Sequence, residues 1–196
     1  MKRTIILLFF LVLFGSTCFG ADYAVDKGAN MFGITAAYIN ATGDLYQEMP
    51  NAILVMPSIS HFLVRNFAVG GDLLLFRTVL GGKTSTTWGI GPKISYFFGG
   101  KGSKSYPYLT TGFYYLRNDV AGGAEEFENI DFLPRGDISG TRLKIGAGAS
   151  WMIDQHLGLL AEISYNRDNL KPEDGNIKAK SGNMVMVSLG LVGFTF

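Results

Sequence analysis

Side chains able to do chemistry are few and far apart. Asp72 and Glu162 each interrupt a long apolar stretch, and two carboxylates can divide proton transfer between an acid and a base. Lys93, Arg142 and Lys144 interrupt comparable stretches. Both signs of charge fall on what reads as one face, so a structural ion-pair network explains the five better than an acid–base pair does. The two histidines, His61 and His156, lie far apart, and the only cysteine, Cys18, sits near the start of the chain. That leaves no metal-ligand set, and no cofactor is expected. Ser60 precedes His61 directly. On a strand, adjacent side chains point to opposite faces, so nucleophile and base could not meet.

Two further segments carry suggestive residues. Gly99–Ser103 is glycine-rich and contains Lys101, but it lacks the spacing and the following helix of a phosphate loop. The segment 118–140 holds Glu125, Glu126, Glu128 and Asp131, then Arg135-Gly136-Asp137. The acidic residues read as a solvated loop, with divalent cations bridging lipopolysaccharide as another use. The triplet matches an integrin-binding sequence, while a turn after Pro134 accounts equally well for Gly136.

The elements that must position these residues follow from composition and period. Met1-Lys2-Arg3, an apolar run from Ile5 to Phe14 and the small-residue exit to Gly20 have the layout of a secretory signal peptide cut before Ala21. An uncleaved anchor is the other reading. Cys18 raises a lipoprotein option, for which the preceding residues are poorly suited. The expected division is thus a signal peptide at 1–20 and one domain at 21–196. That domain has no cysteine, so disulfides do not hold it. Charge is 17%, aromatics 13% and mean hydropathy +0.21, and no run after residue 14 is long and apolar enough for a spanning helix. Net charge +1 gives no footprint for nucleic acid. A soluble sandwich or lipocalin-like barrel and a transmembrane barrel remain.

Period two separates them. In 141–152, Thr141, Leu143, Ile145, Ala147, Ala149 and Trp151 share one face, while Arg142 and Lys144 share the other with small residues. Runs at 157–166, 84–98 and 67–76 behave alike, and those at 30–40 and 52–63 alternate less cleanly. Runs at 106–117 and 184–196 are apolar on both faces, which leaves their sides open. Eight strands result. The heptapeptide at 57–63 matches that at 92–98, by chance or by hairpin duplication, and a bulge is expected at Pro57 and Pro92 because proline cannot donate to the ladder.

Short connections at 64–66, 99–105 and 154–156 alternate with longer ones at 41–51, 118–140 and 168–183, and 80–84 is a short exception. That asymmetry fits periplasmic turns and outer loops. With that orientation Tyr38, Trp88 and Tyr165 form an outer aromatic girdle, and Phe67, Tyr96, Phe98 and Trp151 an inner one. A soluble protein would use the same aromatics as core. Asp72, Lys93, Arg142, Lys144 and Glu162 then become a polar cluster in the barrel lumen.

The Gly-Pro-x-Ile-Ser-Tyr-Phe strand at 91–97, Tyr106-Pro-Tyr-Leu109 and the ending Val192-Gly-Phe-Thr-Phe196, behind the signal peptide, resemble the small outer-membrane β-barrels of the OmpX and OmpA-domain type over about residues 28–196. The resemblance implies an all-β, eight-stranded, antiparallel, up-and-down transmembrane barrel in the bacterial outer membrane. Val192, Phe194 and Phe196 resemble the signal read by the barrel-assembly machinery, though Gly190 and Ser188 break its pattern. Implied partners are outer-membrane lipid and lipopolysaccharide, that machinery and periplasmic chaperones, with the chain a monomer. The expected role is non-enzymatic, in envelope structure or surface contact. A narrow pore for small or apolar solutes is the alternative, and a lipid-modifying enzyme ranks third. The deacylase type of such enzymes needs a His and Ser together at the outer lipid face, whereas Ser60 and His61 fall at the inner rim.

Overall fold

A computed structural model describes residues 23–42, 53–80, 83–120, 138–172 and 180–196, with the backbone alone at 38–42, 53, 77–80, 83–85, 118–120, 138, 172 and 180. The signal-peptide segment, Glu125, Glu126, Glu128, Asp131 and Arg135-Gly136-Asp137 lie outside the described residues. Eight strands follow in order: β1 (Asn30–Thr42), β2 (Ile53–Val64), β3 (Phe67–Leu80), β4 (Lys83–Phe97), β5 (Ser105–Val120), β6 (Ile138–Met152), β7 (Leu157–Pro172) and β8 (Lys180–Thr195). Each pairs antiparallel with its neighbours in sequence, and β1 pairs with β8 from Asn30↔Thr195 to Thr42↔Asn183, closing the barrel. Closure removes the unpaired strand edges that an open sheet would expose.

The strands are longer than the apolar alternation. β7 continues to Pro172 and β8 begins at Lys180, so much of 168–183 is ladder rather than loop. β5 and β6 likewise reach into 118–140, to Val120 and from Ile138. The reason is physical: beyond the apolar band outward residues turn polar, while backbone pairing continues. The expected bulges at Pro57 and Pro92 are absent. The ladder to β3 skips Met56 and Pro57, the ladder to β5 skips Gly91 and Pro92, and both registers resume unchanged. Losing the proline donor costs ladder bonds locally without inserting a residue. The register shift in β2 lies instead between Phe62 and Val64.

Polarity is inverted relative to a soluble barrel. Leu143 and Ile145, Leu159 and Ile163, and Ile94 and Leu189 point outward and are about half exposed, while Asp72, Arg142, Lys144 and Glu162 are buried inside. Water would penalise that outer surface; lipid would not. The two ambiguous runs resolve in the same sense. In β5, Tyr106, Tyr108, Tyr114 and Leu116 are inside and Leu109, Phe113 and Tyr115 outside. In β8, Met184, Met186, Val192 and Phe194 are inside and Val185, Val187, Leu189 and Leu191 outside.

Residues 23–29 close the end of the barrel that carries the short turns. Tyr23, Ala24, Val25 and Ala29 are buried against Phe62, Phe97, Tyr106 and Phe194. Backbone bonds fasten this plug: Gly28 N–H donates to Phe62 O (2.9 Å) and Asn66 N–H to Val25 O (2.8 Å). Asn66, at φ 68°, makes the left-handed turn that Asn tolerates between β2 and β3. In the β6–β7 turn the Asp154 carboxylate accepts N–H bonds from His156 (2.6 Å) and Leu157 (2.8 Å). Those bonds stabilise the ionised form and hold its pKa below the usual carboxylate value.

Candidate functional site

The lumen is where charged side chains converge. Lys93 on β4 lies 2.6 Å from Asp72 on β3. Lys144 on β6 lies 2.7 Å from Glu162 on β7 and 4.0 Å from Asp72, linking the two carboxylates. Tyr114 donates to Asp72 (2.7 Å) and Tyr108 to Glu162 (3.0 Å). Farther from the plugged end, Arg142 grips Asp168 through two bonds of 2.7 Å, a bidentate geometry that Lys cannot copy. Desolvation makes each isolated charge costly, and pairing with opposite charge offsets that cost. Of the five lumen positions singled out by alternation, Asp72, Lys93, Lys144 and Glu162 thus form one linked network, and Arg142 pairs separately with Asp168.

The sequence reading missed three of the partners. Tyr108 and Tyr114 sit in the run whose sides were open, because a phenol counts as apolar while its hydroxyl points inward. Asp168 fell in a segment assigned to a loop. Asn166, fully buried on the inward face of β7, donates to the Ser164 hydroxyl (3.3 Å). Glycine makes room for the phenols: a Cβ on Gly112 would overlap the Tyr114 hydroxyl, and one on Gly148 would meet both the Ala161 carbonyl and the Tyr108 ring.

The space beside the ion pairs is small. A cavity of about 30 Å³ lies beside the network, lined in part by Ser58, Ser95, Thr110 and Ser188, which is room for one or two waters. Below it Phe62, Phe97 and Tyr108 pack with tilted rings, centroids 5.3 Å and 5.1 Å apart. Above it Leu54, Leu74, Tyr114, Met184 and Met186 form a second apolar layer. The lumen is thus a layered core. At its plugged end a wider hollow of about 560 Å³ opens between Tyr23, Lys101, Lys104, Tyr106, Asp154 and Phe196.

On the outer surface the aromatics lie at two levels. Phe67 pairs with Tyr96 next to the short turns, and Tyr96 packs edge-on against Phe98 at 5.1 Å. Trp151 lies at the same end, opposite Ser105. Trp88 and Tyr165 lie toward the other end, where Tyr115 packs against Trp88 at 6.3 Å. The Tyr38 side chain is outside the described residues.

The remaining positions are placed as follows. Val192 and Phe194 face inward, buried in the plug, and Phe196, past the end of β8, stacks on His156 at 4.7 Å. Ser60 is buried inside, while His61 faces outward with Nδ1 2.9 Å from the Asn30 side-chain oxygen. The two are on opposite faces at the plugged end. Among the described residues no group of His, Cys, Asp and Glu has metal-binding spacing.

No protein-family model matches the sequence, and no curated protein does. Solved structures do match. Neisserial surface protein A superposes with a TM-score of 0.65 at 17% identity, over 87% of this chain and 100% of that one. The Yersinia pestis attachment invasion locus protein Ail, solved with the heparin analogue sucrose octasulfate, gives 0.55 at 14% identity over 85% and 97%. The N-terminal β-barrel domain of Pseudomonas aeruginosa OprF gives 0.52 at 18% identity over 84% and 96%. Eight antiparallel strands closed in sequence order around a polar, ion-paired lumen thus make this chain similar in fold to the small outer-membrane β-barrels.

Proposed function

We propose that the protein is an integral, non-enzymatic barrel of the bacterial outer membrane that contributes to envelope structure or surface contact. The observation that carries this reading is the inversion of polarity, with Leu, Ile, Val and aromatics outward and paired charges inward. The lumen then serves as a core that fixes the barrel's shape. Two apolar layers, the lower one continuous with the 23–29 plug, lie on either side of the ion pairs, which supports a non-conducting barrel over a narrow pore. Separation of Ser60 from His61 supports a role without hydrolysis of lipid. In this reading Val192, Phe194 and Phe196 are recognised by the assembly machinery before closure, since Val192 and Phe194 are hidden afterwards. Periplasmic chaperones would deliver the chain, and the barrel would act as a monomer in lipid and lipopolysaccharide. The test is fractionation together with planar-bilayer recording. The protein is expected in outer membranes, with gel mobility that changes only on boiling and no single-channel steps. Recovery in the soluble fraction, or regular conductance steps abolished by Arg142→Ala, would reject it.

A further inference from the structure

The last rung between β7 and β8 is completed by a side chain. The regular register stops at Leu157↔Gly193, so His156 lies opposite Phe194. In a regular antiparallel rung the two residues would exchange a pair of backbone bonds. Here Phe194 N–H donates to His156 O (2.8 Å), but His156 N–H is turned onto the Asp154 carboxylate (2.6 Å). The imidazole takes its place. Nδ1 lies 3.1 Å from the Phe194 carbonyl, and since a carbonyl only accepts, Nδ1 is the donor. The same ring stacks on Phe196, with centroids 4.7 Å apart and planes 30° from parallel. Beside this contact the Val192 and Phe194 side chains are buried in one cluster with Val25, Phe62 and Phe97.

We propose that His156 is a latch that withdraws the segment Val192–Phe196 from the barrel-assembly machinery. The inference rests on the recognition of that segment proposed above. A receptor that takes up a strand uses the strand's free backbone edge and pockets for its alternate side chains. The closed barrel occupies the same groups. The Phe194 N–H and carbonyl, on the edge facing β7, both end on His156. Val192 and Phe194 fill the inner cluster, and the Phe196 ring lies against the imidazole. The segment therefore cannot serve the machinery and His156 together, and each contact made to His156 is one the machinery gives up. The turn that carries the latch is braced by its own residues. The Asp154 carboxylate accepts from His156 and Leu157, and Ile153 N–H donates to Leu157 O (2.8 Å), none of which needs β8. A capture site formed in advance loses less freedom when the segment arrives.

The test adds the unfolded chain to proteoliposomes carrying the purified assembly complex. Two readouts are followed in time: chain co-isolated through a tag on the complex, and gel mobility of unboiled samples. The native chain is expected to bind and then leave as the folded band grows. His156→Ala loses one hydrogen bond and one ring stack, so its release should be about tenfold slower. Arg142→Lys weakens a pair remote from the segment and should leave at the native rate. In vesicles of short-chain lipid without the complex, His156→Ala should still reach the folded band. Should it fail there, His156→Phe, which keeps a ring to stack and removes the donor, carries the same comparison and should also leave slowly. Release of the His156 variant at the native rate overturns the latch. Equal slowing by Arg142→Lys also overturns it, since overall stability would then be the cause. Phe196→Ala reads the recognition premise separately: it should bind the complex less from the outset, and undiminished binding rejects that premise.

Discussion

Replacing Lys144 by Met asks whether the lumen charges hold the barrel together. The Lys144 ammonium lies 2.7 Å from Glu162 and 4.0 Å from Asp72, and the side chains of Lys144 and Glu162 are 7% and 8% exposed. Met fills most of the same volume, so the substitution removes charge more than packing. Asp72 keeps Lys93 at 2.6 Å and the Tyr114 hydroxyl, and it should change little. Glu162 keeps only the Tyr108 hydroxyl among the partners shown, and becomes a buried, uncompensated anion. Removing one partner of a buried pair costs about 3–5 kcal/mol. Against a total stability on the order of 5–15 kcal/mol, the loss should be plain. Adding Glu162→Gln removes the stranded charge, so the double variant should regain about 2–3 kcal/mol relative to additivity. Urea titration in phospholipid vesicles, followed by tryptophan emission and by gel mobility, measures all three variants. A loss below about 1 kcal/mol in Lys144→Met, or a strictly additive cycle, would refute the view that this pair is a coupled part of the core.

Three other outcomes follow from neighbouring contacts. Arg142→Lys keeps the charge but cannot reproduce the two 2.7 Å bonds to Asp168, so stability should fall by about 1–2 kcal/mol in the same urea titration. Gly112→Ala puts a Cβ against the Tyr114 hydroxyl, pushes it from Asp72 and should cost about 1–3 kcal/mol, with Gly112→Ala/Tyr114→Phe recovering part of the loss. The depressed Asp154 pKa means that the β6–β7 turn gains stability above the unfolded carboxyl value of about 3.9 and loses it as pH falls through the lower folded value. Amide protection at His156 and Leu157 should decline across that acid range in the native protein, and Asp154→Asn should remove the pH dependence.

Legibility in the sequence followed the lipid boundary. Where outward residues are aliphatic and inward ones small or charged, as from Thr141 to Met152, period two assigned strand, face and lumen position together. Outside the apolar band the same ladder continues with Arg167, Asn169 and Lys171 facing out, and alternation vanishes although the strand does not. Asp168, inward and paired with Arg142, was lost for that reason. β5 hid its inward face because Tyr108 and Tyr114 present rings to the packing and hydroxyls to Glu162 and Asp72. The plug at 23–29 has no period at all, since turns and backbone bonds to Phe62 and Asn66 place it. Pro57 and Pro92 suggested bulges that are absent, because a missing donor alone leaves the register unchanged.

The claim that lipid bathes the outward face can be measured with the two tryptophans the chain already has, Trp88 and Trp151, which face outward at opposite ends of the barrel. In vesicles whose phospholipids carry bromine on the acyl chain near the headgroup, both indoles should be strongly quenched, and less so when bromine sits deep in the chain. Aqueous acrylamide should quench them little. Strong acrylamide quenching with no response to brominated lipid would place both tryptophans in water and contradict the account.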